Sequence, residues 1–352
     1  MDPRITKIAE ILVNYSTKVK EGEYVQLGGD PVCEPLLKEL YRLVLKKGAY
    51  PVMKLGFPWQ SYVYYKNASE KQLEHFPEVA MEEMKKTDAV IYVSGGGNTR
   101  QLTNIDPKLL SLRQKVVDPV SKERQKKKWV IFYFPSDSFA QEAEMSTEEF
   151  EDFVYGSCLF DWEEKSKELD RFVEIMKDGK EVRVVGEDTD LSFSIEGRKF
   201  VKGDGIFNMP DGEIFTAPVE KTVNGHIKFS YPAIYGGREV GGVYFEFKDG
   251  EIVKASAEKN EEFLKEMIGT DEGSKFLGEF GIGLNPGIKK PIKNILFDEK
   301  QDKTIHLAIG NAYPECGGTN KSAIHWDIVK DMRNGGKIFL DGKLVYENGE
   351  FL

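Results

Sequence analysis

The chain has 352 residues, 40% of them hydrophobic, and a formal net charge of −10. That length exceeds one ordinary core and predicts two domains, while the negative charge leaves no field to gather nucleic-acid phosphates or an anionic membrane surface. No apolar run approaches the ~20 residues that span a bilayer, and the N-terminal MDPRITKIAEILVNY lacks the basic start and apolar block of a signal peptide, so the expected location is cytoplasmic.

Cys33, Cys158 and Cys316 lie far apart and form no paired-thiol motif, which argues against a disulfide framework or a thiolate metal site. Charged residues at 31% and recurrent Lys/Glu-rich helices give the profile a thermophilic lean. In the first half, Ile5, Ile8, Ile11, Leu12 and Tyr15 have helical spacing over residues 3–19. A strand at 24–27 follows, then an amphipathic helix at 33–47 closed by Gly48, a strand at 51–55, a helix at 78–86 and a strand at 89–93. A helix around 106–126 leads to the strand 129–134. Strands alternating with helices predict a parallel sheet covered on both faces. The glycine turn Ser94–Asn98 matches neither the dinucleotide fingerprint nor a P-loop and reads as a plain turn. His75 on its helix and the basic run 121–128 read as solvated surface. Residues 138–177 read as helical, with Phe150, Phe153, Trp162, Leu169, Phe172 and Ile175 on one face, ending at Asp178-Gly179. An N-terminal α/β domain over 1–178 is expected.

After that point the pattern changes. Strands at 181–185, 191–195, 226–229 and 243–247 are separated by Glu196-Gly197, Asn224-Gly225 and Lys248-Asp249-Gly250 turns. One helix, at 257–268, interrupts them, and Asp341-Gly342 marks a late hairpin over 339–345. A β-rich α+β domain over 179–352 is expected to carry the active centre.

Two of the four histidines, His306 and His325, lie between Asp298 and Asp327. If Ser322–Val329 is a strand, His325 and Asp327 share one face and Ile324, Trp326 and Ile328 the other. If 294–299 and 304–308 form a hairpin through Lys300–Lys303, Glu299 faces Thr304, with His306 its diagonal neighbour at about 7–8 Å. Glu213 in a Pro-Asp-Gly-Glu turn and Glu279 among glycines and apolar residues are acids in unusual company. From the residues alone, His306 and His325 divide evenly between ligands and satisfied core histidines, and for Glu213 and Glu279 a role outside any site is favoured over ligation.

The ordered segments MPDGEIFTAP, GVYFEFKDGEIV, AEKNEEFL, DEGSKFLGEFGIGLN, ILFDE, TIHLAIGNAY and NKSAIHWD, across 205–330, resemble the thermophilic metallo-aminopeptidases of the aminopeptidase T and aminopeptidase S type. The N-terminal half fits that family by length and α/β pattern rather than by motif. The resemblance implies a metal set of Glu213, Glu279, Glu299, His306, His325 and Asp327, with Glu279 touching both of two ions. The glutamate-to-histidine spacing is longer here than in bacterial members, so Asp298 competes with Glu299, and Glu299 is preferred. Tyr313 falls on the family's tyrosine, and His325 acts as ligand or as an outer hydrogen-bonding group.

Imidazoles mixed with carboxylates suit Zn²⁺ or Co²⁺. Four carboxylates balance the charge of two divalent ions, which polarise a carbonyl and lower the pKa of a shared water from ~15.7 to about 7. The implied activity is removal of unblocked N-terminal residues from peptides by a homodimer, with Tyr313 stabilising the oxyanion. The alternatives are a dinuclear hydrolase of another amide or ester and a non-enzymatic binding protein on the same fold. Cys316 has no activating pattern beside it and reads as passive.

Overall fold

A computed structural model describes residues 2–352 and divides the chain into two compact units. The first comprises residues up to Phe160 together with Gly205–Pro210. Its sheet is parallel throughout, in the order Tyr50–Leu55, Tyr24–Gly29, Ala89–Ser94, Lys128–Tyr133, Asn208–Met209. Val25, Leu27, Ile91, Val93, Val130 and Phe132 are buried in it, so these strands read as apolar runs. The helix Glu34–Lys46 buries Leu36, Leu37, Leu40 and Val44. The four strands expected from sequence are all present. The fifth, Asn208–Met209, is too short to carry a periodic signal.

The long helical stretch is three helices: Asp137–Glu142, Thr147–Cys158 and Trp162–Met176. Each begins at a side-chain cap that interrupts the run: Ser136 on Phe139 N, Ser146 on Glu149 N, and Asp161 on Glu163 N and Glu164 N. Trp162–Met176 puts Leu169 and Met176 into the core of the second unit. The division between units therefore falls after Phe160, earlier than the 178/179 boundary expected from the Asp-Gly stop.

The second unit comprises Asp161–Asp204 and Asp211–Leu352 and is built mainly of antiparallel strands. Its larger sheet has eight strands, ending in the hairpin of Lys337–Leu340 with Lys343–Glu347 and the edge strand Glu350–Phe351. The hairpin turns on Asp341 and Gly342, with φ of 50° and 80°, the positive pair that a two-residue turn matched to strand twist requires. The second sheet has five strands: β1 (Val201–Gly203), β2 (Glu213–Thr216), β3 (Leu277–Gly283), β4 (Thr304–Gly310) and β5 (His325–Asp331). They lie side by side in that order, each antiparallel to the next.

Alternation sorts this five-stranded sheet into two unlike faces. Ile214, Phe280, Ile282, Ile305, Leu307, Ile309, Trp326 and Ile328 enter one apolar core with Val184, Leu191, Phe193, Ile227 and Phe245 of the eight-stranded sheet. The Phe193 and Phe280 rings meet edge to face at 5.1 Å. The opposite face carries Glu213, Glu279, Gly281, Gly283, His306, Ala308, His325 and Asp327. Among the described residues no helix is long and apolar enough to cross a membrane.

Candidate metal centre

Register assembles the centre. Across β3 and β4, Glu279 pairs with Ala308 and Gly281 with His306. Across β4 and β5, Ala308 pairs with Asp327 and Gly310 with His325, while Gly283 of β3 pairs with Glu213 of β2. The residues between the ligand candidates are thus glycine or alanine, which leaves space above the sheet. The sequence expectation that His325 and Asp327 share a face holds.

Glu279 sits at the middle. Its Oε1 lies 3.2 Å from His306 Nε2 and its Oε2 lies 3.2 Å from His325 Nε2. Glu213 Oε2 approaches His306 Nε2 at 3.3 Å, and Asp327 Oδ2 approaches His325 Nε2 at 3.4 Å. Two donor sets result, Glu213–Glu279–His306 and Glu279–His325–Asp327, each with its ligand atoms within 4.8 Å of one another. Glu279 belongs to both. His325 Nδ1 donates to the Asn311 carbonyl at 2.7 Å, which fixes the ring with Nε2 turned to the carboxylates, where a cation would take the place of its proton.

Burial makes this arrangement costly for protein atoms alone. Glu213, Glu279, His306 and Asp327 are all buried. Glu213 Oε2 and Asp327 Oδ1 accept no hydrogen bond, and an unsatisfied buried acceptor costs about 1–3 kcal/mol. Divalent cations would complete these oxygens, so the donor set fits a metal centre. The ionisations are correspondingly displaced. Burial pushes the Glu213 carboxyl up to about 8, against the pull of Lys300. Burial also works against the His306 cation, yet the Glu279 and Glu213 carboxylates outweigh it and raise that imidazole to about 9. Asp327 resists the same burial because His325 faces it, and falls to about 2.

The other sequence candidates occupy different places. The stretch 294–299, expected as a strand, contains the short helix Ile295–Asp298, with the Asn294 side chain accepting from Leu296 N at 3.2 Å. An Asn cap with a short apolar run reads equally as a strand edge, and this one nucleates a turn. The expected hairpin facing of Glu299 and Thr304 is therefore absent, and Thr304 pairs with Gly283 and Asp331. Asp298 accepts from Ile292 N at 2.7 Å and serves its own loop. Glu299 lies beside the centre, half-buried, with Oε1 in contact with Lys300 Nζ and its carboxylate within electrostatic reach of Asp327 and His306. Tyr313 follows β4, its ring 4.9 Å from that of His325 and 5.7 Å from that of Phe215. Burial and the carboxylates of Glu279 and Asp327 hold its phenol above the usual tyrosine range, so it is an O–H donor at neutral pH. Cys316 is buried and its thiol is pushed up to about 12.

Sequence reasoning missed Lys300 and Asn311. Lys300 is fully buried although it sits in a run that reads as a solvated loop, and nothing in its spacing sets it apart. Asn311 acts through its backbone carbonyl, which leaves no residue-type signal.

A family model described as thermophilic metalloprotease (M29) matches residues 1–351. Aminopeptidase 2 of Geobacillus stearothermophilus is 25% identical over 93% of this chain and 92% of its own length. Aminopeptidase T of Thermus thermophilus is 35% identical over a shorter stretch, 40% of this chain and 37% of that protein. Among solved structures, wild-type AmpT from Thermus thermophilus superposes with a TM-score of 0.86 over 99% of both chains at 23% identity. A 2,5-dihydroxypyridine dioxygenase from Pseudomonas putida shares the fold at a TM-score of 0.67 and 15% identity, covering 100% of this chain and 98% of that one. The same framework thus carries proteins of different names, and function resides in the site rather than in the fold.

Proposed function

Because the chain belongs to the thermophilic metalloprotease family M29, we propose that it is a metal-dependent aminopeptidase acting on peptides with a free N-terminus. The observation that carries the reading is the position of Glu279, one oxygen turned to each of two donor sets. Glu213, Glu279 and His306 would hold one divalent ion, and Glu279, His325 and Asp327 a second. Imidazole with carboxylate favours zinc or cobalt over magnesium in both.

Bound there, the pair supplies Lewis-acid polarisation of a carbonyl and acidification of a water. The chain supplies the remainder. The Asn311 carbonyl holds His325 in one tautomer. The phenol of Tyr313, beside His325 and partly open to solvent, offers a hydrogen bond to a substrate oxygen that gains charge in the transition state. The apolar back of the sheet keeps the strands that bear the ligands rigid. We infer as well a cytoplasmic location and a homodimer; sedimentation of the purified chain tests the dimer.

Release of nitroaniline from aminoacyl-p-nitroanilides is the direct assay. Activity should vanish with chelator, return with Zn²⁺ or Co²⁺, and be absent on N-acetylated substrates. A fully metallated protein that cleaves none of these substrates would refute the proposal.

A further inference from the structure

The loop 311–324 joins β4 to β5 and carries two groups that serve the centre: the Asn311 carbonyl, which receives His325 Nδ1, and the phenol of Tyr313. Side chains from outside the loop grip its far end. Glu220 Oε1 accepts from Thr319 N at 2.9 Å and from Thr319 Oγ1 at 2.7 Å. The other oxygen, Glu220 Oε2, accepts from Arg198 Nη2 at 2.7 Å. The Arg198 side chain is 10% exposed and that of Glu220 21%, so water screens this pair far less than a surface ion pair. Burial works against the Glu220 carboxylate, yet the Thr319 hydroxyl and the N–H groups around it outweigh that penalty and hold the carboxyl below the ordinary glutamate range.

Between Thr319 and Tyr313 the loop has no slack. Gly318 N donates to the Tyr313 carbonyl at 3.2 Å, and a Cβ on Gly318 would lie 2.5 Å from Ala312 Cβ and 2.9 Å from Ala217 Cβ. Ala217, Ala312 and Cys316 are buried together, and Lys199 N donates to the Cys316 carbonyl at 3.0 Å. A displacement at Thr319 is therefore felt at Tyr313. Residues 213–220 tie the loop to the centre: Glu213 belongs to a donor set, the Phe215 ring lies 5.7 Å from that of Tyr313, and Glu220 holds Thr319. Glu220 itself, with its oxygens taken by Arg198 and Thr319, belongs to neither donor set.

We propose that Glu220 is a positioning residue: clamped by Arg198 and bonded to Thr319, it holds the loop that aims the Tyr313 phenol at the reacting oxygen of the substrate. The inference rests on the reading of Tyr313 as a hydrogen-bond donor to developing charge. Such a donor works at about 2.7–3.1 Å from that charge, and a misplacement of about 1 Å lowers the rate by up to about 10²-fold. Cutting the clamp lets the phenol wander. The ligands stay in place, because they stand on strands anchored by the apolar core behind them.

Metal-loaded full-length protein and aminoacyl-p-nitroanilides test this. Glu220→Ala should keep the parent's metal content, lower kcat by about tenfold and leave KM within about twofold. Thr319→Val removes one bond at an exposed position and should lower kcat by about threefold; it answers the question even if Glu220→Ala, which leaves Arg198 unpaired, does not fold. Combined with Tyr313→Phe, neither change should lower kcat further, because the group they position is gone. A general structural role predicts multiplied losses in the double variants, and that result would overturn the proposal. So would parent-level kcat in both single variants, or loss of metal from folded Glu220→Ala. A metal-loaded parent that cleaves no anilide refutes the functional reading instead. Hydrogen exchange separates the two failures because it needs no turnover: amides of residues 312–320 should exchange about tenfold faster in Glu220→Ala, and unchanged exchange there would overturn the clamp by itself.

Discussion

Gly281 of β3 stands directly opposite His306 of β4, and a Cβ built on Gly281 would lie 2.1 Å from both Cε1 and Nε2 of the imidazole. The ring therefore lies across the neighbouring strand, in the space that glycine leaves, and reaches Glu279 and Glu213 from there. Gly281→Ala should push the ring away from both carboxylates. Overpacking a buried position of this kind costs about 1–3 kcal/mol, so the variant should fold with a lower melting temperature. It should lose the Glu213–Glu279–His306 ion selectively. Elemental analysis after dialysis against a weak chelator should read one ion per chain where the parent retains two. Two retained ions would show that His306 does not depend on that space.

Glu279 and Asp327 should separate the two donor sets. Glu279 belongs to both and Asp327 to one. Glu279→Ala should bind no ion and lose all activity. Asp327→Ala should keep the ion held with Glu213 and His306 and lose most turnover, since only one Lewis acid remains. Stoichiometry by calorimetric titration is the measurement. Equal loss in both variants would mean that the two sets fill as a single unit.

The parallel sheet of the first unit and the shared face of His325 and Asp327 were legible because they follow from apolar runs and from period-two alternation. The segment 294–301 was not. Four apolar-to-acidic residues after an Asn fit a strand edge and a capped turn equally well, and the choice is made by Asp298 binding Ile292 N and by the bond from Asn285 N to the Lys300 carbonyl. Those are tertiary contacts with no local signature. Lys300 was hidden for the same reason, since a lysine next to acids usually marks a solvated loop. Gly281 was partly visible: in Leu277–Gly283 every second position from Glu279 onward is glycine, which already indicates a strand face stripped of side chains.

Tyr313→Phe should leave both ions in place. The phenol lies outside the donor sets, and the ring contacts with His325 and Phe215 survive loss of the hydroxyl. Loss of one hydrogen bond to developing charge lowers kcat by about 10²–10³-fold, with a small change in KM. Metal analysis alongside steady-state kinetics checks both halves. Ions lost on removal of the hydroxyl would make Tyr313 a ligand.

The chelated protein should become less stable as pH rises from mildly acidic to alkaline. In the folded chain His306 is raised to about 9, and Glu213 is raised to about 8. Ordinary unfolded values are about 6.5 for histidine and about 4.3 for glutamate. A raised folded pKa means that the folded state binds more protons than the unfolded one between the two values. The contribution of Glu213 is therefore complete below its unfolded value and lost as pH climbs through about 8. That of His306 is complete below about 6.5 and lost through about 9. Asp327 has the opposite sign: lowered to about 2, it destabilises only in strong acid. Divalent ions replace those protons on the same donors, so the loaded protein should lack the alkaline decline and metal uptake should release protons. Melting temperatures of chelated and zinc-loaded protein, measured from pH 6 to 9.5, should diverge with increasing pH. Parallel curves would show that these donors do not exchange protons for metal.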